Sequence, residues 1–289
     1  MKGIILAAGK GTRLYPITQS TCKPLLPVYD KPMIYYPLAL LLEAAITEIL
    51  IIVPPDELGS FERLLGNGER FGAQISYVVQ HDRRGIADAF IIGEEFLDGE
   101  GVCLALGDNV FFGSGMAASL EKAKNSLSGA TVFGCYMDDP RPFGVAEFDS
   151  DGRVLSIEEK PKKPKSNYIV PGLYFYDNRV TDIAKTINPS ARGELEITSV
   201  NNVYLQMDEL RVVKLPKDVV WFDTGSSRTL LDAACAIRRY CDETGEQLGV
   251  LEETAYRRGF IDRDQLCAVA RELSASDYGQ YLLKLAGEA

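Results

Sequence analysis

One histidine, His81, and one tryptophan, Trp221, are all that 289 residues hold of those types. A single imidazole leaves no histidine cluster to bind a metal, and no nucleophile elbow surrounds any serine. Catalysis, if present, has to work without those devices. The six cysteines (Cys22, Cys103, Cys135, Cys235, Cys241, Cys267) are scattered with no CxxC pair, which excludes a cysteine zinc site and reads as free, mostly buried thiols. Cys22, next to Lys23, is the one worth testing for reactivity. No apolar run is long enough to span a bilayer and the first residues lack a signal-peptide pattern, so a cytoplasmic location and no membrane partner are expected. Positive charge is also in deficit: 31 Lys and Arg against 41 Asp and Glu, a formal charge of -10. With no long basic stripe, nucleic acid is disfavoured as a partner.

What is present is an ordinary globular composition, 46% hydrophobic and 25% charged, with a repeating strand and helix rhythm. Apolar runs at 2–8, 48–53, 74–79 and 102–107 read as strands, and 34–46, 57–65 and 85–97 as the helices between them. That alternation predicts an α/β fold, a Rossmann-like, mainly parallel mixed sheet flanked by helices, with ligands at the carboxyl ends of the strands. Past residue 130 the pattern turns antiparallel. Strands are predicted at 131–137, 144–148 and 153–159, the last two joined by the turn Asp149-Ser150-Asp151-Gly152, and 167–176 reads as one more strand. Helices 178–187 and 196–208 and strands 211–215 and 219–222 follow. The expectation is one domain over 1–289, with an α/β core to 226 and a helical appendage over 227–289.

The first 31 residues carry a local excess of cations, Lys2, Lys10, Arg13, Lys23 and Lys31 against Asp30. The strand before them empties into Gly9-Lys10-Gly11-Thr12-Arg13. A P-loop would need Ser or Thr after the lysine, and a dinucleotide loop a third glycine where Leu14 stands. Both readings fail, leaving either a plain strand-to-helix turn or a loop whose backbone N–H groups approach phosphate. Arg13 offers a donor fork matched to phosphate oxygens and Lys23 a mobile point charge. Asp108 and Asp223 each end an apolar run. Each alone reads first as a capping or turn aspartate and second as a ligand of a hard cation such as Mg²⁺, which pairs carboxylates with substrate phosphate oxygens.

Several blocks in order settle more than any one of them. The opening Leu6-Ala7-Ala8-Gly9-Lys10-Gly11-Thr12-Arg13-Leu14, then Asp30 to Leu38, Leu106-Gly107-Asp108-Asn109, Glu158-Glu159-Lys160-Pro161, Lys165 to Tyr168, Gly172 to Asp177, Arg192 to Thr198, and Trp221-Phe222-Asp223-Thr224-Gly225 together resemble the sugar-phosphate nucleotidyltransferases. Pro24, Ala8 and Phe143 depart from the residues usual at their places.

The resemblance implies a nucleotide site of Ala8, Gly9, Gly11, Thr12, Arg13, Lys23, Gln80, Gly85 and Asp108. It implies a sugar-phosphate site of Asn109, Gly144, Glu159, Lys160, Val170 and Tyr174, and Mg²⁺ on Asp108 and Asp223. Arg13, Lys23 and Lys160 would be the catalytic cations. Gln80, ending its strand, and Gly85, opening the next helix, would read the pyrimidine edge. The substrates implied are dTTP and glucose 1-phosphate, with pyrophosphate released. A sugar phosphate whose second pKa is about 6 is its own nucleophile and needs no general base. The resemblance further implies a homotetramer, feedback by a later sugar nucleotide, and a place at the head of deoxysugar and polysaccharide synthesis. UTP in place of dTTP, and a catalytically silent sugar-nucleotide binder, stay open as alternatives.

Overall fold

The computed structural model describes residues 1–125 and 127–288. Its strands are β1 (Lys2–Leu6), β2 (Pro27–Val28), β3 (Lys31–Pro32), β4 (Glu48–Val53), β5 (Gln74–Val79), β6 (Val102–Leu106), β7 (Asn109–Phe112), β8 (Ala130–Tyr136), β9 (Gly144–Phe148), β10 (Val154–Glu159), β11 (Tyr168–Ile169), β12 (Leu173–Tyr176), β13 (Leu210–Lys214) and β14 (Val220–Asp223). The main mixed sheet runs β10-β9-β11-β8-β12-β6-β1-β4-β5, and β13 adds in parallel to the other edge of β8. Its β6-β1-β4-β5 part is parallel. The pairs through β12, β11, β9 and β10 are antiparallel.

Alternation explains why the parallel strands read as continuous apolar runs. Ile5, Ile51 and Ala105 enter the core on one face of the sheet, and Ile4, Ile52 and Leu104 enter the core on the other. Both faces are covered, so both sets are apolar. Each of these isoleucine and leucine side chains removed from water contributes about 1.5–3 kcal/mol.

Three predicted elements differ. The helix expected from 85 begins at Asp88 and breaks at Gly93 into Asp88–Ile92 and Glu94–Leu97. Gly85 takes φ +109°, and residues 84–87 bond to Leu195, whose N–H donates to the Arg84 carbonyl while the Ala87 N–H donates to its own. The strand expected over 167–176 is two strands, because Pro171 carries no ladder N–H. The helix expected to 46 ends at Glu43, where Ala45 turns left-handed and the Ile46 N–H closes on the Leu41 carbonyl. The turn after β9 forms as expected, with Asp149 Oδ1 accepting from the N–H groups of Asp151 and Arg153.

Helix Ser227–Thr244 opens on a capping box made by Ser226 and Thr229. It sets Ala233, Ile237 and Cys241 against Leu14, Val28, Met33, Tyr36 and Phe112. Helices Leu251–Arg258, Arg263–Glu272 and Asp277–Ala286 share a separate cluster around Leu266 and Leu282. A buried carboxylate ties them to the sheet: Glu252 accepts from Arg70 and from the Tyr278 hydroxyl. Among the described residues no helix is long and apolar enough to cross a membrane.

Candidate active site

Strands β1 and β6 are neighbours in parallel register, Leu6 opposite Leu106, so the loops that follow them leave the sheet side by side at its carboxyl end. This is the switch point where open α/β sheets bind ligands. The chain from β6 continues through Asp108 into β7, which forms an antiparallel ribbon with β14 that pairs Asn109 with Asp223. Register alone therefore brings the two aspartates together.

Lys23 lies between them. Its Nζ is 2.7 Å from Asp108 Oδ2 and 3.5 Å from Asp223 Oδ1. Arg13 adds Nη2 at 3.8 Å from Asp223 Oδ2 from a side chain that is 73% exposed. Lys23 is not the mobile charge expected, since its side chain is only 6% exposed. The glycine loop explains the confinement. Gly11 sits at φ +63°, and a Cβ there would meet Thr18 at 2.8 Å and the Lys23 Cβ at 3.1 Å, so only glycine lets the loop close over the lysine. A Cβ at Gly9 would meet nothing.

A cleft of about 800 Å³ opens from this cluster. Arg13, Asp108, Asn109 and Asp223 line it, as do Gly144, Glu159, Lys160, Val170 and Tyr174. Glu159 Oε2 accepts from the Thr198 hydroxyl at 2.7 Å, and its Oε1 has Lys160 Nζ and Arg192 Nη2 each at 3.6 Å. Gly144 pairs with Glu159 across β9 and β10, and its carbonyl accepts from the Val170 N–H. A Cβ at Gly144 would stand 3.3 Å from the Thr198 hydroxyl and 3.4 Å from Glu159, narrowing the cleft floor. Lys160 holds a left-handed backbone, φ +48°, uncommon for a residue with a side chain and typical of constrained sites. Burial first, then the carboxylates of Glu159 and Asp108, keep the Tyr174 phenol above its ordinary pKa, so it stays a donor.

Several expected residues lie elsewhere or are engaged. Ala8, Gly9, Gly11, Thr12, Lys23, Gln80 and Gly85 do not line this cleft. Gln80 Nε2 donates to buried Asp88 at 2.9 Å, and Asp88 also accepts from Arg84. Gly85, at φ +109°, is glycine because a Cβ would strike the Leu195 backbone, which gives it a packing role rather than the helix start expected. Asn109 spends its carbonyl oxygen on the Gly172 N–H at 3.0 Å and the Trp221 indole N–H at 2.6 Å, and its amide donates to Asp108. It orients an aspartate and a tryptophan, which is a different duty from gripping a sugar.

Thr198 and Trp221 also line the cleft and Arg192 flanks Glu159, although the sequence marks none of the three individually. Their partners Glu159 and Asn109 are distant along the chain, and a hydroxyl or indole gives no spacing signal. Cys22 is buried, and burial together with Glu57 pushes its thiol up to about 12. Below that pH the neutral thiol persists and the thiolate nucleophile is scarce. Iodoacetamide at pH 8 should therefore label Cys235, the exposed thiol, and spare Cys22 in native protein. Rapid labelling of Cys22 on peptide mapping would contradict this.

The two carboxylates give a hard cation two oxygen donors, and no cluster of three or more metal-ligating side chains exists among the described residues. That donor set fits Mg²⁺, which leaves its other positions to phosphate and water.

Comparison with known proteins agrees with this geometry. The pattern of the nucleotidyl transferase family matches residues 2–239. Glucose-1-phosphate thymidylyltransferases of Mycolicibacterium smegmatis and Neisseria meningitidis are each 50% identical over 285 residues, covering 99% of this chain and 99% of theirs. A Bacillus anthracis protein proposed to be a glucose-1-phosphate thymidylyltransferase, solved with sucrose, superposes at a TM-score of 0.76 with 42% identity, over 82% of this chain and 95% of that one. A charged cleft at the β1/β6 switch point and a family match across most of the sequence lead to one conclusion: the chain belongs to the nucleotidyl transferase family.

Proposed function

We propose that this chain joins dTTP to glucose 1-phosphate, forming dTDP-glucose and releasing pyrophosphate. The observation that carries the reading is that one cleft is lined both by Arg13, Asp108 and Asp223, with Lys23 joined to the two aspartates behind them, and by Glu159 and Lys160. The first group suits a triphosphate and the second a sugar phosphate. The relatives' activity supplies the identity of both.

Transfer of this kind asks the protein for alignment and charge neutralisation rather than for a covalent intermediate. The sugar phosphate arrives dianionic and attacks the α-phosphorus in line with the departing pyrophosphate oxygen. Lys160, held by its left-handed backbone at the end of β10, neutralises the sugar phosphate. Glu159, fixed by Thr198 and flanked by Arg192, accepts from sugar hydroxyls, and Tyr174 donates. Arg13 and Lys23 stabilise charge growing on pyrophosphate. Asp108 and Asp223 would hold Mg²⁺, which when bound supplies further positive charge at the phosphates. At the base, Gln80 keeps its carbonyl and one N–H beyond the Asp88 bond, a pair that complements a pyrimidine edge.

Initial rates of pyrophosphate release with glucose 1-phosphate under Mg²⁺ should rank dTTP first. UTP differs by a methyl and a 2′-hydroxyl, and such differences are worth about 10–200-fold. A faster rate with UTP would replace the reading by a uridylyltransferase, and no release with any triphosphate would end it. The family resemblance also supports one unit over 1–289, cytoplasmic and homotetrameric, with chemistry in 1–226. Light scattering of the full chain tests the assembly.

A further inference from the structure

Asp108 and Asp223 are forced together by ribbon register, and two carboxylates so placed repel unless positive charge stands between them. The chain supplies that charge itself. The Lys23 ammonium contacts Asp108 at 2.7 Å and Asp223 at 3.5 Å, and its side chain is nearly sealed from water. Its backbone is fixed as well: the short turn Lys23–Leu25 closes with the Leu26 N–H on the Lys23 carbonyl, and Gly11 packs close enough that a Cβ there would meet the Lys23 Cβ. A divalent cation on the same carboxylates would meet this ammonium as a like charge at close range.

We infer that Lys23 is a resident counter-ion that competes with the divalent cation for Asp108 and Asp223, and yields them only when triphosphate oxygens offer its ammonium another partner. The inference rests on the metal-holding reading of those two aspartates. Movement of Nζ on a flexible four-carbon stem suffices, with the backbone in place. Metal and triphosphate then bind with positive coupling, and the coupling is reciprocal. Lys23 acts here as a positioning residue before any chemistry.

The test is Mn²⁺ binding to the full chain, followed by electron paramagnetic resonance with glucose 1-phosphate withheld. Wild-type protein should bind Mn²⁺ weakly alone and much more tightly with dTTP, after correction for Mn²⁺ bound by dTTP in solution. Lys23→Met keeps the stem and removes the charge. In the absence of nucleotide it should bind Mn²⁺ about tenfold more tightly than wild type, the worth of one charged hydrogen bond. Lys23→Arg, which keeps the charge, should bind like wild type. Equal or weaker Mn²⁺ binding by Lys23→Met overturns the inference. Should that variant fail to fold by circular dichroism, wild-type protein decides: Mn²⁺ affinity independent of dTTP overturns it equally. Failure of the metal reading looks different. In that case the double variant Asp108→Asn, Asp223→Asn would bind Mn²⁺ as wild type does, with and without dTTP.

Discussion

Asp108→Asn lowers turnover by on the order of a thousandfold while the protein stays folded; this is the result expected for a carboxylate that both holds a cation and orders Lys23. The side chain is about one-third exposed, and Asn109 donates to the Oδ1 that an asparagine retains. Its removal costs charge more than packing. Arg13→Ala should lose about a hundredfold in turnover by the same logic of missing transition-state charge, with nucleotide affinity affected less. Its exposed guanidinium has one ion pair among the described residues, to Asp223 at 3.8 Å, so the melting temperature should hold. Steady-state pyrophosphate release across a Mg²⁺ titration measures both. Asp108→Asn with wild-type turnover and an unaltered Mg²⁺ dependence would show that the carboxylate has no part in the reaction.

The second large effect concerns stability and lies far from the cleft. Glu252 is fully buried and accepts from Arg70 and from Tyr278, joining the last three helices to the turn before β5. Breaking a buried pair from one side costs about 3–5 kcal/mol. Because Arg70 is partly exposed and water recovers some of its charge, Glu252→Ala should fall near the lower end, about 3 kcal/mol. For a chain of this size that lowers the melting temperature by roughly 5–10 °C. Glu252→Gln, which keeps an acceptor for Tyr278, should lose less. Scanning calorimetry reads both, and an unshifted transition for Glu252→Ala would mean that the helices are held by apolar packing alone.

Local signals were read well where one physical rule dominated. The buried run Ile49 to Val53 and the turn at Asp149 each carry their structure within a few residues. The misread stretches were decided from a distance. Residues 84–87 read as the start of a helix, yet the positive φ of Gly85 and the hydrogen bonds to Leu195 delay it to Asp88. Of the cleft-lining residues, Asp108 and Asp223 stand out in one dimension as charges at the ends of apolar runs and Arg13 as a cation after a glycine loop, whereas Lys160 is marked by its resemblance block alone. Burial of Lys23, the engagement of Gln80 by Asp88 and the Asn109 bridge to Trp221 depend on pairings the linear order conceals. Thr198 reaches Glu159 only because helix Ile197–Gln206 packs along β10.

The ribbon of β7 and β14 has a bearing on which changes in length this enzyme tolerates. Asp218 pins the far end of the ribbon, accepting from the Ser114 hydroxyl and the Gly115 N–H, and β14 then runs directly to Asp223. Removing one residue between Asp218 and Trp221 would turn every following side chain to the opposite face. Asp223 would then be carried off the Lys23 side with no atom of the cleft substituted. Sequence drift can reshape the exposed turns nearby, yet this short tether has to keep its count.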